Sequence, residues 1–156
     1  MTRWLDPDEQ ATWRAFLGAT RLVFEQLDRE LQRDSNMPHG YYEILVRLSE
    51  APERALRMSA LADRSQSSRS RLSHAVARLE ENGWVRRESC ADDKRGQIAV
   101  LTDEGFDALA AAAPGHVEGV RSHVFDPLTP EQVVQLREIS TAMVDALQAQ
   151  PDAPAC

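Results

Sequence analysis

One stretch restricts the fold more than any other. Residues 58–102 read MSALADRSQSSRSRLSHAVARLEENGWVRRESCADDKRGQIAVLT. A short helix is predicted at 59–64, with Leu61 and Ala62 inward. A turn follows at 65–67, then a longer helix over about 68–82. Ser59 and Ser68 stand where side chains cap the two helices. Leu72, Ala75, Val76 and Leu79 make the buried stripe of the longer one. Arg71, His74 and Arg78 recur at i, i+3 and i+7 on its other face, with Ser70 beside them. Arg69 occupies the first turn, and no acid appears until Glu80. Asn82-Gly83 is a left-handed stop. Residues 84–88 and 97–101 read as strands joined by a charged tip at 91–96. Helix, turn, helix and two-stranded wing is the winged helix-turn-helix order.

The flanks are helical. Asp6-Pro7-Asp8-Glu9 carries a cap, a proline at the first helical position and a capping-box acid. Trp13, Phe16, Leu17, Thr20, Phe24, Leu27 and Leu31 then repeat with helical period, over 6–34. A stripe that long exceeds what one small core can cover, so a partner chain is expected against it. A second helix is predicted from 39 to 51, with Tyr41, Ile44, Leu45 and Leu48 apolar. Residues 55–58 are too short for more than a small strand or connector. Thr102 caps a helix with Phe106, Leu109, Ala113, Val117, Val120 and Val124 on one face. Pro114-Gly115 should kink or split it. Thr129-Pro130-Glu131-Gln132 is a second capping box, opening a last helix with Val133, Leu136, Ile139, Met143 and Leu147 on one side. Residues 1–150 are expected to form one domain, with a winged core at 38–102, outer helices at 6–34 and 102–148, and a flexible tail at 151–156. The fold class is mainly α with a small β-hairpin wing.

The net charge of −7 argues against nucleic acid as a partner until its distribution is considered. Residues 57–96 hold nine basic and six acidic side chains, and the rest holds nine and nineteen. Screening limits fields to about 8–10 Å, so the local balance governs docking on phosphates. No apolar run approaches the roughly 20 residues of a membrane span. The N-terminus lacks a signal-peptide core, and the chain reads as cytoplasmic.

Taken together, Leu61-Ala62, the helix ending in Leu79-Glu80, Gly83-Trp84-Val85-Arg86-Arg87, Asp92-Asp93-Lys94-Arg95, and Leu101-Thr102 with Gly105 resemble the MarR family of bacterial transcription regulators. The resemblance spans residues 10–148 and is densest over 61–105. It implies a homodimer built on the first, fifth and sixth helices, binding double-stranded DNA at a pseudo-palindromic operator, usually to repress. It also implies that Arg69, Ser70, Arg71 and His74 meet the major groove, with the capping Ser68 counted among the DNA-binding residues. Arg95 falls where the family's wing arginine enters the minor groove, and Asp93 where an acid braces the wing. Lys94 stands where the family often has arginine, which keeps the charge but not the planar fork. Arg78 suits a phosphate, or simply Glu81 or Asn82. Arg86 and Arg87 suit holding the hairpin.

Other candidates carry less. Trp13, Phe16, Tyr41 and Tyr42 could line a pocket for a small-molecule effector between the first two helices and the fifth, with His39 and Arg47 as polar anchors; core packing is the competing reading. His116 and His123 lie seven apart, but two ligands do not make a metal site, and both read as surface histidines. Cys90 could be a thiol switch beside Arg86 and Arg87, but an inert cysteine is the preferred reading. Ser68, His74 and Asp63 tempt as a catalytic group, yet no nucleophile-elbow pattern accompanies them. No enzymatic activity, cofactor or metal is expected. Two functions remain: a ligand-responsive DNA-binding repressor, or a winged-helix module that binds another protein without specific DNA binding.

Overall fold

The computed structural model describes residues 1–65, 68–90 and 96–148. They fall in two compact units, Met1–Gly119 and Val120–Cys156. The tail at 151–156 lies outside the described residues, as do Asp93, Lys94 and Arg95.

Helix α1, Pro7–Ser35, starts as its sequence requires. Asp6 accepts from the Glu9 amide at 2.8 Å, and the Glu9 carboxylate accepts from the Asp6 amide at 3.0 Å. Asn36, in the left-handed region at φ 48°, ends the helix. Only Leu27 and Leu31 of its long stripe are buried, whereas Trp13, Phe16, Leu17 and Phe24 are exposed. Helix α2, His39–Ser49, has no side-chain cap of its own. Asp28 of α1 replaces it by accepting from the His39 amide at 2.8 Å, which puts a carboxylate at the positive end of a helix.

A tight turn at Pro52–Arg54 places Glu53 and Arg54 at φ 55° and 54°. Arg54 is held there by the Phe106 ring, 3.9 Å from the guanidinium carbon, and by Asp103 at 3.3 Å. The connector that follows is a true strand. β1, Ala55–Arg57, pairs antiparallel with β3, Gln97–Leu101, which pairs with β2, Val85–Ser89. The sheet is therefore three-stranded, ordered β1-β3-β2, and not a hairpin alone.

Helix α3, Met58–Arg64, begins one residue earlier than expected. Ser59 lies inside it, and the cap position falls to Arg57, which makes no side-chain capping bond. Leu61 and Ala62 are buried as expected. Helix α4, Arg69–Glu81, is capped by Ser68, whose hydroxyl accepts from the Arg71 amide at 3.2 Å. At its end the Gly83 amide donates to Glu80 at 2.9 Å and the Trp84 amide to Leu79 at 3.0 Å. This paired closure needs a left-handed residue, supplied by Gly83 at φ 75°. Leu72, Val76 and Leu79 reach the core formed with Leu45, Leu48, Leu61, Val85, Ala99 and Leu101.

Helix α5, Asp103–Val120, runs through Pro114 without splitting. The carbonyl that the proline orphans belongs to Ala110, on the exposed side, where water can satisfy it. The irregularity comes later, as a π-type turn at Arg121–Phe125. The inward face is Gly105, Leu109 and Ala112 with Gly119, while Phe106 and Val117 are exposed. Small residues bring the helix close to its neighbours: a Cβ on Gly105 would stand 2.1 Å from the Trp84 carbonyl oxygen. Helix α6, Pro130–Gln148, opens with the expected capping box, Thr129 and Gln132 exchanging bonds of 2.9 and 3.2 Å. None of its residues is buried. No helix of the described residues is long and apolar enough to cross a membrane.

Candidate nucleic-acid interface

The exposed face of α4 carries the candidate residues, and the helix geometry divides them. Residues two apart in a helix are separated by roughly 160° around the axis, so Arg69 and Arg71 cannot share a side. Arg71, His74 and Arg78 line one open groove, together with Tyr41 of α2. Arg69 lines another with Arg57, Ser59, Ser73, Gly96 and Gln97. Ser70 is exposed between them.

Charge pairing separates these side chains further. Arg78 donates to Glu81 at 2.8 Å, which holds its pKa above the ordinary arginine value. Arg86 donates to Glu88 at 2.7 Å. Arg87 is largely withdrawn from solvent and braces the wing on α4: it meets Glu80 at 2.5 Å, donates to the Ser73 carbonyl at 3.2 Å, and reaches Gln97 at 3.5 Å. By contrast, Arg57, Arg69 and Arg71 form no ion pair among the described residues. The first turn of the longer helix thus presents positive charge at the surface that no described acidic residue pairs with, which is what a polyanion requires.

The five side chains considered for an effector do not share one cavity. Trp13 and Phe16 stack on each other at 6.1 Å, well out along α1. Trp13 is about 22 Å along the helix from Asp28, where α1 meets α2. Tyr41 belongs to the α4 groove. His39 and Tyr42 instead meet His116 of α5, with ring centres at 5.5 and 4.3 Å. His116 is therefore not a surface histidine: its Nδ1 is buried without a hydrogen-bond partner among the described residues. Burial, and then the neighbouring His39, hold its pKa below the ordinary value. The cavity beside it, reaching Leu27, Glu30 and Ala112, is about 100 Å³. Small-molecule sites usually occupy roughly 300–1,000 Å³. Arg47, on α2, likewise has a buried Nε without a hydrogen-bond partner. Cys90 is buried as a free thiol. No group of three or more potential metal ligands occurs among the described residues.

Sequence reasoning missed Arg57 and the role of Tyr41 as a wall of the α4 groove. Both depend on contacts between elements, and neither had a local signal. For Arg69 the helical period was sufficient to separate it from Arg71.

Comparison with known proteins matches residues 35–96 to a family model described as the MarR family. The chain is 33% identical over 95 residues to the transcriptional regulator HosA of Escherichia coli, covering 60% of this chain and 69% of that protein. It is 32% identical over 85 residues to the HTH-type transcriptional regulator PecS of Dickeya dadantii, covering 54% and 51%. Among solved structures, Sco3205 of Streptomyces coelicolor, a MarR family transcriptional regulator in complex with DNA, superposes with a TM-score of 0.92 at 56% identity, covering 99% of this chain and 97% of that one. AbsC, a MarR family transcriptional regulator of the same organism, superposes at 0.89 with 42% identity, covering 96% and 100%.

Proposed function

The chain belongs to the MarR family of transcriptional regulators, and on that premise we propose that it is a sequence-specific DNA-binding repressor acting as a homodimer on a pseudo-palindromic operator. The observation that carries this reading is the solvent-facing Arg71, without an ion pair among the described residues, at the start of a capped helix, with His74 one turn on and Arg78 beyond. Ser68, Arg69, Ser70, Arg71 and His74 meet the major groove or its rims. Lys94 and Arg95 reach the minor groove, whose negative potential attracts cations, and Asp93 braces them. The complex of Sco3205 with DNA, at 56% identity to this chain, supports the assignment.

Residues 1–150 act as one regulator in the cytoplasm, without catalytic chemistry. Helices 6–34 and 102–148 pair two copies, a role supported by the apolar side chains that α1 and α6 each leave exposed. Pairing sets two recognition helices about 34 Å apart, one turn of DNA. Responsiveness to a small molecule belongs to the same reading. An effector entering beside His116, against His39 and Tyr42, would have to widen the cavity between α1 and α5, and so favour a different spacing. It acts only through its differential affinity for the two spacings.

The test is a gel shift across a salt series, on a duplex selected by the protein from a randomised pool. A specific complex with a steep negative salt slope is expected. Arg71→Ala should lose about 1–3 kcal/mol and relax the preference at one base position. Binding that is absent, or independent of salt, sinks the repressor reading and leaves a protein-binding module.

A further inference from the structure

We propose that Arg57, the last residue of β1, contacts the DNA backbone and forms with Arg69 a phosphate-binding notch at the root of the wing. The proposal rests on the DNA-binding reading above and adds a contact from outside the helix-turn-helix.

The geometry comes from the third strand. Arg57 pairs in register with Ile98, one residue from Gln97 and two from Gly96, where β3 leaves the wing tip. Its side chain is exposed, as the outward residue of an edge strand should be. Arg69, at the first position of α4, faces it across an open groove of about 430 Å³. The hydroxyl residues Ser59 and Ser73 lie in the same wall, and no acidic side chain among the described residues lines it. Three other arginines of α4 and the wing have carboxylate partners: Arg78 with Glu81, Arg86 with Glu88, and Arg87 with Glu80. Arg57 and Arg69 have none among the described residues.

Two guanidinium groups lining one groove, with no counter-ion among the described residues, make a site for an anion, and their planar forks match phosphate oxygens. The notch runs between the start of the recognition helix and the wing. In a duplex whose major groove holds α4 and whose adjacent minor groove holds the wing, the backbone of one strand separates the two grooves and crosses that gap. The occupant is therefore a phosphodiester of that strand. A contact of this kind positions the protein and carries no base information.

The test compares wild type, Arg57→Ala and Arg57→Lys, all full length, on the selected duplex and on a scrambled duplex of the same composition. Each phosphate contact contributes about 0.9 to the slope of log affinity against log salt. Two lost contacts per dimer should lower the slope by about 1.8, so the affinity lost between 50 and 200 mM salt shrinks by about tenfold. Arg57→Ala should weaken both duplexes by the same factor and select the same sequence, and Arg57→Lys should retain the wild-type slope. Should Arg57→Ala fail to fold by circular dichroism, Arg57→Gln decides in its place. An unchanged slope overturns the proposal while leaving the repressor reading intact, and so does an altered selected sequence. If the wild type itself binds no duplex, both fall together.

Discussion

Gly105 shows how little tolerance single positions have where two stretches of backbone approach closely. Its amide donates to the Thr102 hydroxyl at 3.0 Å, and the Trp84 carbonyl accepts from the Thr102 amide at 3.0 Å. A methyl group there meets backbone, which cannot turn aside as a side chain can. Gly105→Ala should destabilise the protein by about 3 kcal/mol in urea unfolding. Gly18, in the middle of α1, has nothing within 4 Å of an added methyl, and Gly18→Ala should add about 0.5–1 kcal/mol. Equal effects at the two positions would contradict the packing described. His116 supplies a pH dependence. Its folded pKa is lowered first by burial and then by His39, against weaker opposing effects of Glu43 and Glu30. The unfolded chain, with histidine near about 6.5, then binds more protons than the folded one. Stability is full above that value and falls as pH drops from there toward the lowered folded pKa. His116→Phe should flatten the fall of the urea midpoint as pH drops below about 6.5. A midpoint curve parallel to wild type would show that His116 is not the cause.

Elements are joined here by a few side chains that cross between them. Arg87 is the clearest, because one guanidinium reaches Glu80 and Ser73 on α4 and Gln97 on β3. These bonds tie β2 and β3 to the recognition helix. Arg87→Ala should cost about 1.5–3 kcal/mol, the range for hydrogen bonds to charged groups. It should also speed amide hydrogen exchange in β2 and β3 more than in α4. Uniform acceleration throughout would mean that Arg87 stabilises the fold generally and does not brace the wing. Arg87→Lys should behave like the alanine variant in exchange, since an ammonium cannot span three acceptors in one plane.

At the scale of the molecule, exposed apolar surface is the dominant unpartnered feature. On α6, Leu136, Ile139, Met143 and Leu147 form one stripe, with Ile139 59% and Leu147 69% exposed. On α1, Trp13, Phe16, Leu17 and Phe24 form another. Contiguous patches of this kind are uncommon on monomers. Sedimentation at micromolar concentration should give a dimer. Leu136→Glu with Met143→Glu should yield a monomer that keeps its helical circular dichroism and loses operator binding. A variant that stays dimeric would place the pairing surface elsewhere.

Local chemistry acting over three or four residues was mostly legible, with the expected cap at Ser59 an exception. The caps at Asp6, Ser68 and Thr129, the stop at Gly83, and the buried stripe of Leu72, Val76 and Leu79 all follow from spacing, because a helix repeats its contacts within one turn. The same period determined that Arg71, His74 and Arg78 share a side. Tertiary structure decided what spacing cannot express. It made residues 55–57 a strand by bringing β3 alongside, and so put Arg57 in the same groove as Arg69. It buried His116 against Tyr42 and separated Trp13 from His39. It also turned Gly105 and Ala112 inward where the apolar pattern had favoured Phe106 and Val117. Close packing selects the small side chain over the apolar one when two backbones must nearly touch, and no single sequence states which backbones those will be.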